Sequence, residues 1–139
     1  HAPDLPNVSR LGYVYTHQHN AFNCSSRALL NVSRDSMAAN GWSPATRVFE
    51  AAGAGAGLLT DAWQGLEMFL QPGVECLAAR DGSEVAAQLQ SLTAERAAAI
   101  GDAARSRVLR EHTYFHRAAQ VEALLNETRE ARREEEALL

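Results

Sequence analysis

The residues of this 139-residue chain best suited to hold a charged or hydroxylated ligand run from Asn40 to Glu50, NGWSPATRVFE. Ser43-Pro44 reads as a helix start, with Ser43 as N-cap and Pro44 in the first turn, where its missing N–H costs nothing. A helix opening there presents free N–H groups and a partial positive charge, which suit a phosphate or a sugar hydroxyl. Gly41 lets backbone approach a ligand closely. Glu50 falls about two turns into the helix, and a carboxylate there can accept two hydrogen bonds from a vicinal diol such as a ribose. The same residues also fit a plain reading: a capped helix, Trp42 in the core, and Glu50 paired to an arginine.

Other clusters are weaker. Gly53-Ala54-Gly55-Ala56-Gly57 invites a dinucleotide-binding reading, but that motif follows a strand and opens a helix. Here the glycines close a helix and precede a strand, so tight helix-to-strand packing is the expectation. His17-Gln18-His19 and His112…His116 offer nitrogen ligands without a matching acidic or cysteine cluster, and surface or helix-capping roles are expected. Asp61-Ala62-Trp63 stands at a strand's carboxyl end, where it is either part of a ligand loop or an N-cap beside a core tryptophan. Neither a nucleophile elbow, a P-loop nor an Asp-x-Asp metal motif occurs.

The elements that must position these residues alternate between short apolar runs and helical patterns. Leu11–Tyr15, Ala28–Val32, Leu58–Asp61 and Glu75–Ala79 read as strands. Thr16–Asn23 reads as a helix capped by Thr16 with Phe22 on its buried side. Arg34–Asn40 is a loop or a single helical turn. The helix from Ser43 runs to about Ala54 with Val48, Ala51 and Ala52 inward. Gly65–Leu70 is a short helix and Gln71-Pro72-Gly73 a turn. Asp81-Gly82-Ser83 opens a helix to about Leu92, Thr93 caps another to about Arg110, His112-Thr113 breaks the pattern, and a last helix starts at Tyr114. Alternating strands and helices predict a parallel sheet with helices on both faces. Ligands of such sheets sit outside the carboxyl ends of the strands, which points to the loops after Tyr15, Val32, Asp61 and Ala79.

Composition narrows the class. Apolar residues make up 46% and aromatics 6%, as in a globular domain. A net charge of −4 argues against a dedicated nucleic-acid binder. No window approaches the roughly 20 apolar residues of a spanning helix, and His1-Ala2-Pro3-Asp4 does not resemble a signal peptide. Two distant cysteines, Cys24 and Cys76, fit free thiols in a cytoplasmic protein. All 13 basic residues are arginine, which with abundant alanine suggests a GC-rich bacterial coding sequence. Sequons at Asn7, Asn23, Asn31 and Asn126 are then coincidental. The Glu/Arg-rich stretch 126–139 reads as a solvated helix or tail.

The segments also share an order with a known family. Asn31-Val32-Ser33-Arg34, Asn40-Gly41-Trp42-Ser43-Pro44 with Arg47 and Phe49-Glu50-Ala51-Ala52, and Leu59-Thr60-Asp61-Ala62-Trp63 with Gly65-Leu66 resemble the C-terminal domain of CgeB-like (spore-maturation type) glycosyltransferases. Ala79-Arg80-Asp81 and Glu111-His112-Thr113-Tyr114 with His116-Arg117 look like the same family. The resemblance spans about residues 10 to 122. It implies the donor-binding half of a GT-B architecture, Rossmann-like, over residues 1–125, followed by a charged helix or tail over 126–139. The ligand it implies is a nucleotide-diphosphate sugar, with no metal or other cofactor. The donor-site residues would be Arg34, Asn40, Gly41, Trp42, Ser43, Arg47 and Glu50.

In related group 1 transferases two glutamates flank a Gly-rich turn, and the second, matched by Glu50, commonly binds the donor's ribose. The first has no counterpart, because Asn40 or Trp42 takes its place. The resemblance further implies a first strand before His1 and an acceptor-binding N-terminal domain, both outside this sequence. The 139 residues would then be a fragment unable to transfer sugar alone. A non-catalytic nucleotide-sugar-binding or interaction module of the same fold is the alternative.

Overall fold

A computed structural model describes residues 5–137. In chain order its elements are α1 (His19–Cys24), β1 (Leu29–Asn31), α2 (Asp35–Asn40), α3 (Thr46–Gly53), β2 (Leu58–Asp61), β3 (Leu77–Ala79), α4 (Gly82–Ser91), α5 (Ala94–Glu111) and α6 (Tyr114–Ala137). The fold is α/β: one parallel sheet in the order β1-β2-β3, flanked by helices, with a long C-terminal helix. Leu29, Leu30 and Asn31 pair with Leu58, Leu59 and Thr60, and Leu59, Thr60 and Asp61 pair with Leu77, Ala78 and Ala79.

Alternation along β2 explains why both faces are covered. Leu58 joins a core with Val48, Ala51 and Ala52 of α3 and with Ala104 and Val108 of α5. Its neighbour Leu59 points the other way, into a cluster with Leu77, Leu92, Ala97 and Ile100. Both leucines are fully buried, as expected of a central parallel strand. The inward positions read for α3 are therefore the ones observed.

Helix ends follow local chemistry. Asp81 caps α4 by accepting from the Glu84 N–H at 2.9 Å, and Thr93 caps α5 by accepting from the Arg96 N–H at 3.2 Å. At the end of α3 the chain forms a Schellman turn: the Gly55 N–H donates to the Ala52 carbonyl and the Ala56 N–H to the Ala51 carbonyl, both at 3.0 Å. Gly55 takes the left-handed conformation this requires, with φ 72°. Gly57 passes so close to α5 that a Cβ there would lie 3.2 Å from the Ala97 carbonyl oxygen. The glycine run thus serves close packing, as its position before a strand predicts.

Three expectations need correction. Residues 11–15 are not a strand: Gly12 has φ 73° and no strand among the described residues pairs with the segment, and Leu11, Tyr13 and Tyr15 are exposed. Thr16 is not a cap but the first residue of a 3-10 turn, Thr16–Gln18, capped from Tyr15, and Phe22 is 42% exposed rather than core. The six-residue α1 that follows buries Asn23 alone, which leaves Phe22 at the rim of a cavity. Finally, α3 begins two residues later than Ser43 suggests. Ala45 is its extended N-cap, and no side chain caps it. The 3-10 turn Leu66–Met68 stands where a short helix is expected. No helix of the described residues is long and apolar enough to cross a membrane.

Candidate functional site

The carboxyl ends of β1 and β2 are joined by a directional chain of hydrogen bonds. Asn31, fully buried, donates through Nδ2 to Thr60 Oγ1 at 3.1 Å, and Thr60 donates to Asp61 Oδ1 at 3.2 Å. The same carboxylate oxygen accepts from the Ser33 N–H at 3.0 Å and from Ser33 Oγ at 3.2 Å. Asp61 is therefore no N-cap. It pins the loop after β1, and with it the start of α2 at Arg34, to the end of β2. Trp63 is core, 6% exposed. Asp61→Ala is expected to cost about 1–3 kcal/mol by stranding the Ser33 N–H. A denaturant midpoint unchanged from wild type would contradict that role.

A second lock joins the turn before α3 to the loop after β2. The Trp42 N–H donates to the Gln64 carbonyl at 2.7 Å. Gly41 is buried with φ 63°, and a Cβ there would come 2.9 Å from Gln64 Cβ. Trp42 itself holds φ 55°, which for a bulky L-residue costs on the order of 1–2 kcal/mol. Its ring lies over Gly65, itself at φ 93°, so close that a Cβ at Gly65 would be 2.3 Å from Trp42 Cε3. Trp42 is nonetheless 52% exposed, so it is not the core residue the plain reading required.

The sequence-derived residues thus fall into three groups. Gly41 and Trp42 form the locked turn. Arg47 and Glu50, one helical turn apart on α3, line a cavity of about 560 Å³ with Val14, His19, Phe22 and Leu30. That volume lies in the usual range for small-molecule sites, about 300–1,000 Å³. Arg34, Asn40 and Ser43 are exposed and do not line the cavity. Among the described residues the Glu50 carboxylate has no ion-pair or hydrogen-bond partner, so the expected pairing to arginine is absent.

Val14, Phe22 and Leu30 escape sequence reading as site residues because an apolar residue beside a strand looks like core. His19 reads as a metal candidate, whereas its Nε2 contacts the Val14 carbonyl at 3.2 Å.

Glu50 also borders a second cavity of about 470 Å³, shared with Thr46 and Phe49 of α3 and with His112, Tyr114 and Arg117 at the α5–α6 junction. The histidines there are structural. Thr113 Oγ1 lies 2.7 Å from His116 Nδ1, and the Thr113 N–H donates to the same nitrogen at 3.3 Å. Arg117 donates to His112 Nδ1 at 2.6 Å, which places the His112 ring proton on Nε2. Burial, then the charges of Arg117 and Arg107, hold His112 below its ordinary pKa.

The unfolded chain therefore binds this proton more readily than the folded one. Stability from this group is present above about pH 6.5 and is lost as pH falls through the depressed folded value. A melting temperature that falls between neutral and mildly acidic pH is expected, with a shallower fall in His112→Gln. Equal slopes would contradict the assignment.

A family model described as glycosyl transferase-like matches residues 2–123. No curated protein matches the chain significantly. The α/β arrangement is consistent with a Rossmann-like half of the GT-B architecture. Because the match covers most of the sequence and takes in both locks, α3 and both cavities beside it, the chain belongs to the glycosyl transferase-like family.

Proposed function

We propose that this chain is the donor-binding domain of a CgeB-like glycosyltransferase, which transfers a sugar from a nucleotide-diphosphate sugar to an acceptor held by a separate N-terminal domain. In this reading residues 1–125 form the donor domain, and 126–139 are a charged C-terminal helix or tail. One observation carries it. Glu50 holds an unpaired, solvent-facing carboxylate at a cavity of about 560 Å³, on a helix whose N-terminus no side chain caps. An exposed carboxylate beside a cavity and helix N–H groups left open by side chains are both available to a ligand.

The chemistry follows from charge. In glycosyl transfer the sugar becomes positive and the departing diphosphate negative. The first N–H groups of α3, with Arg47 and Arg34, would stabilise the diphosphate electrostatically. Glu50 would take the ribose diol and so place the sugar. The free thiols of Cys24 and Cys76 fit a cytoplasmic setting.

Calorimetric titration with UDP, GDP and ADP, each of which carries the ribose diol, tests the reading. One of the three is expected to bind, and Glu50→Ala is expected to weaken it by about tenfold or more, the worth of charge-assisted hydrogen bonds. Absence of binding by all three, or binding indifferent to Glu50, would overturn it. Replacement of the first family glutamate favours a second reading, a nucleotide-sugar-binding module without catalysis. Sugar transfer assayed on the protein with its N-terminal domain separates the two.

A further inference from the structure

Trp42 is the only non-glycine residue among those described that has a positive φ, a conformation bulky L-residues rarely adopt. Its place is fixed twice over. The backbone N–H is held by the Gln64 carbonyl, and the benzo ring rests on Gly65, where even a methyl group would collide with Cε3 at 2.3 Å and with Cδ2 and Cζ3 at 2.9 Å. One ring face is thus covered by backbone, yet the residue remains 52% exposed. Packing alone does not call for this. A smaller apolar side chain would cover Gly65 without placing half a tryptophan in water. A rigid aromatic ring with one face covered and the other free is a preorganised stacking surface.

The ring that would stack there follows from the order of parts along the chain. Taking the donor reading above as the basis, the ribose lies at Glu50 and the diphosphate at the N-terminus of α3. These are separated by the four residue steps from Thr46 to Glu50, about 6 Å of helix. A nucleotide-diphosphate sugar is built in series as base, ribose, diphosphate, sugar. With the ribose at Glu50, the base extends away from the diphosphate, toward Phe22 and Leu30 in the cavity. The sugar then extends beyond the diphosphate on the side of the turn that precedes α3, where Trp42 stands. We propose that the face of Trp42 turned away from Gly65 stacks against the apolar C–H face of the donor's pyranose ring. Polarised C–H groups of a sugar face are attracted to the negative face of an indole.

The test compares each nucleoside diphosphate with its sugar conjugate: UDP with UDP-glucose, GDP with GDP-mannose, and ADP with ADP-glucose. In the pair whose diphosphate binds, the conjugate is expected to bind wild type more tightly. Trp42→Ala is expected to weaken the conjugate by about tenfold, the scale of ring stacking on an aromatic side chain, while changing the diphosphate less than about twofold. Trp42→Phe should retain much of the preference, and its melting curve shows whether the turn still folds.

Equal weakening of diphosphate and conjugate would overturn the proposal, as would a conjugate that wild type does not prefer or a preference that survives Trp42→Ala. If no diphosphate binds wild type, the donor reading fails and this inference falls with it. If a diphosphate binds through Glu50 but Trp42→Ala spares the sugar preference, only the stacking role fails.

Discussion

Gly101→Ala is expected to destabilise the protein by about 2–4 kcal/mol, although alanine is the better helix former. In an unconstrained helix interior the change would gain about 1 kcal/mol. Here a Cβ at position 101 would lie 2.0 Å from the Gly55 carbonyl oxygen, 2.7 Å from its carbon and 3.1 Å from the Ala56 carbonyl carbon. All three are backbone atoms of the Schellman turn that ends α3, so no side chain can swing aside. Either α5 retreats and loosens the packing of Ala104 and Val108 against α3, or the turn breaks its paired hydrogen bonds. For a domain of this size the loss corresponds to a fall in melting temperature of about 10 °C. Gly53→Ala is the matching control. Nothing lies within 4 Å of a Cβ there and φ is not positive, so a change between neutral and about 1 kcal/mol stabilising is expected. If the two substitutions behaved alike, close approach would not be what fixes Gly101.

The second large effect concerns ligand rather than fold. If Glu50 binds a ribose by its two adjacent hydroxyls, removing the 2′-hydroxyl and removing the carboxylate delete the same interaction. In wild type, the 2′-deoxy analogue of the nucleotide that binds should be weaker by about tenfold or more, since hydrogen bonds to a charged group are worth about 1.5–3 kcal/mol. In Glu50→Ala the two nucleotides should bind alike. That non-additivity is what separates direct contact from a general disturbance of α3. Glu50 is exposed and α3 packs through Val48, Ala51 and Ala52, so the substitution should leave the melting temperature close to wild type. Additive losses from the deoxy analogue and the variant would rule out the ribose contact even if Glu50 mattered to binding.

Much of the architecture is legible in the residues. Leu58–Asp61 is a strand with the limits read from its apolar run, Thr93 caps the helix it is expected to cap, and the helix expected to open at Asp81-Gly82-Ser83 does so with Asp81 as its cap. These features depend on near neighbours: a side-chain oxygen and an N–H three residues on, or a short apolar run bounded by glycine. Leu11–Tyr15 fails for the opposite reason. Alternating large residues suit a strand, but a strand exists only where a partner offers its N–H and carbonyl groups, and none does. Ser43 likewise has the chemistry of a cap, yet Trp42 is tied to Gln64 and the helix waits until Thr46.

The stretch from Asn40 to Glu50 shows where local information ends. By itself the sequence determined that a helix begins there, that Val48, Ala51 and Ala52 face inward, and that Glu50 faces out. Helical periodicity and side-chain polarity settle these points without reference to the rest of the chain. It left open whether Trp42 is core and whether Glu50 pairs with an arginine or holds a ligand, because those outcomes depend on partners distant in sequence. Tertiary structure decided that Trp42 is not core and that Glu50 has no ion-pair partner among the described residues. Gly65, brought in from the loop after β2, supports one face of Trp42, and the residue is half exposed. Val14, Phe22 and Leu30 surround Glu50 with a cavity but offer its carboxylate no cation.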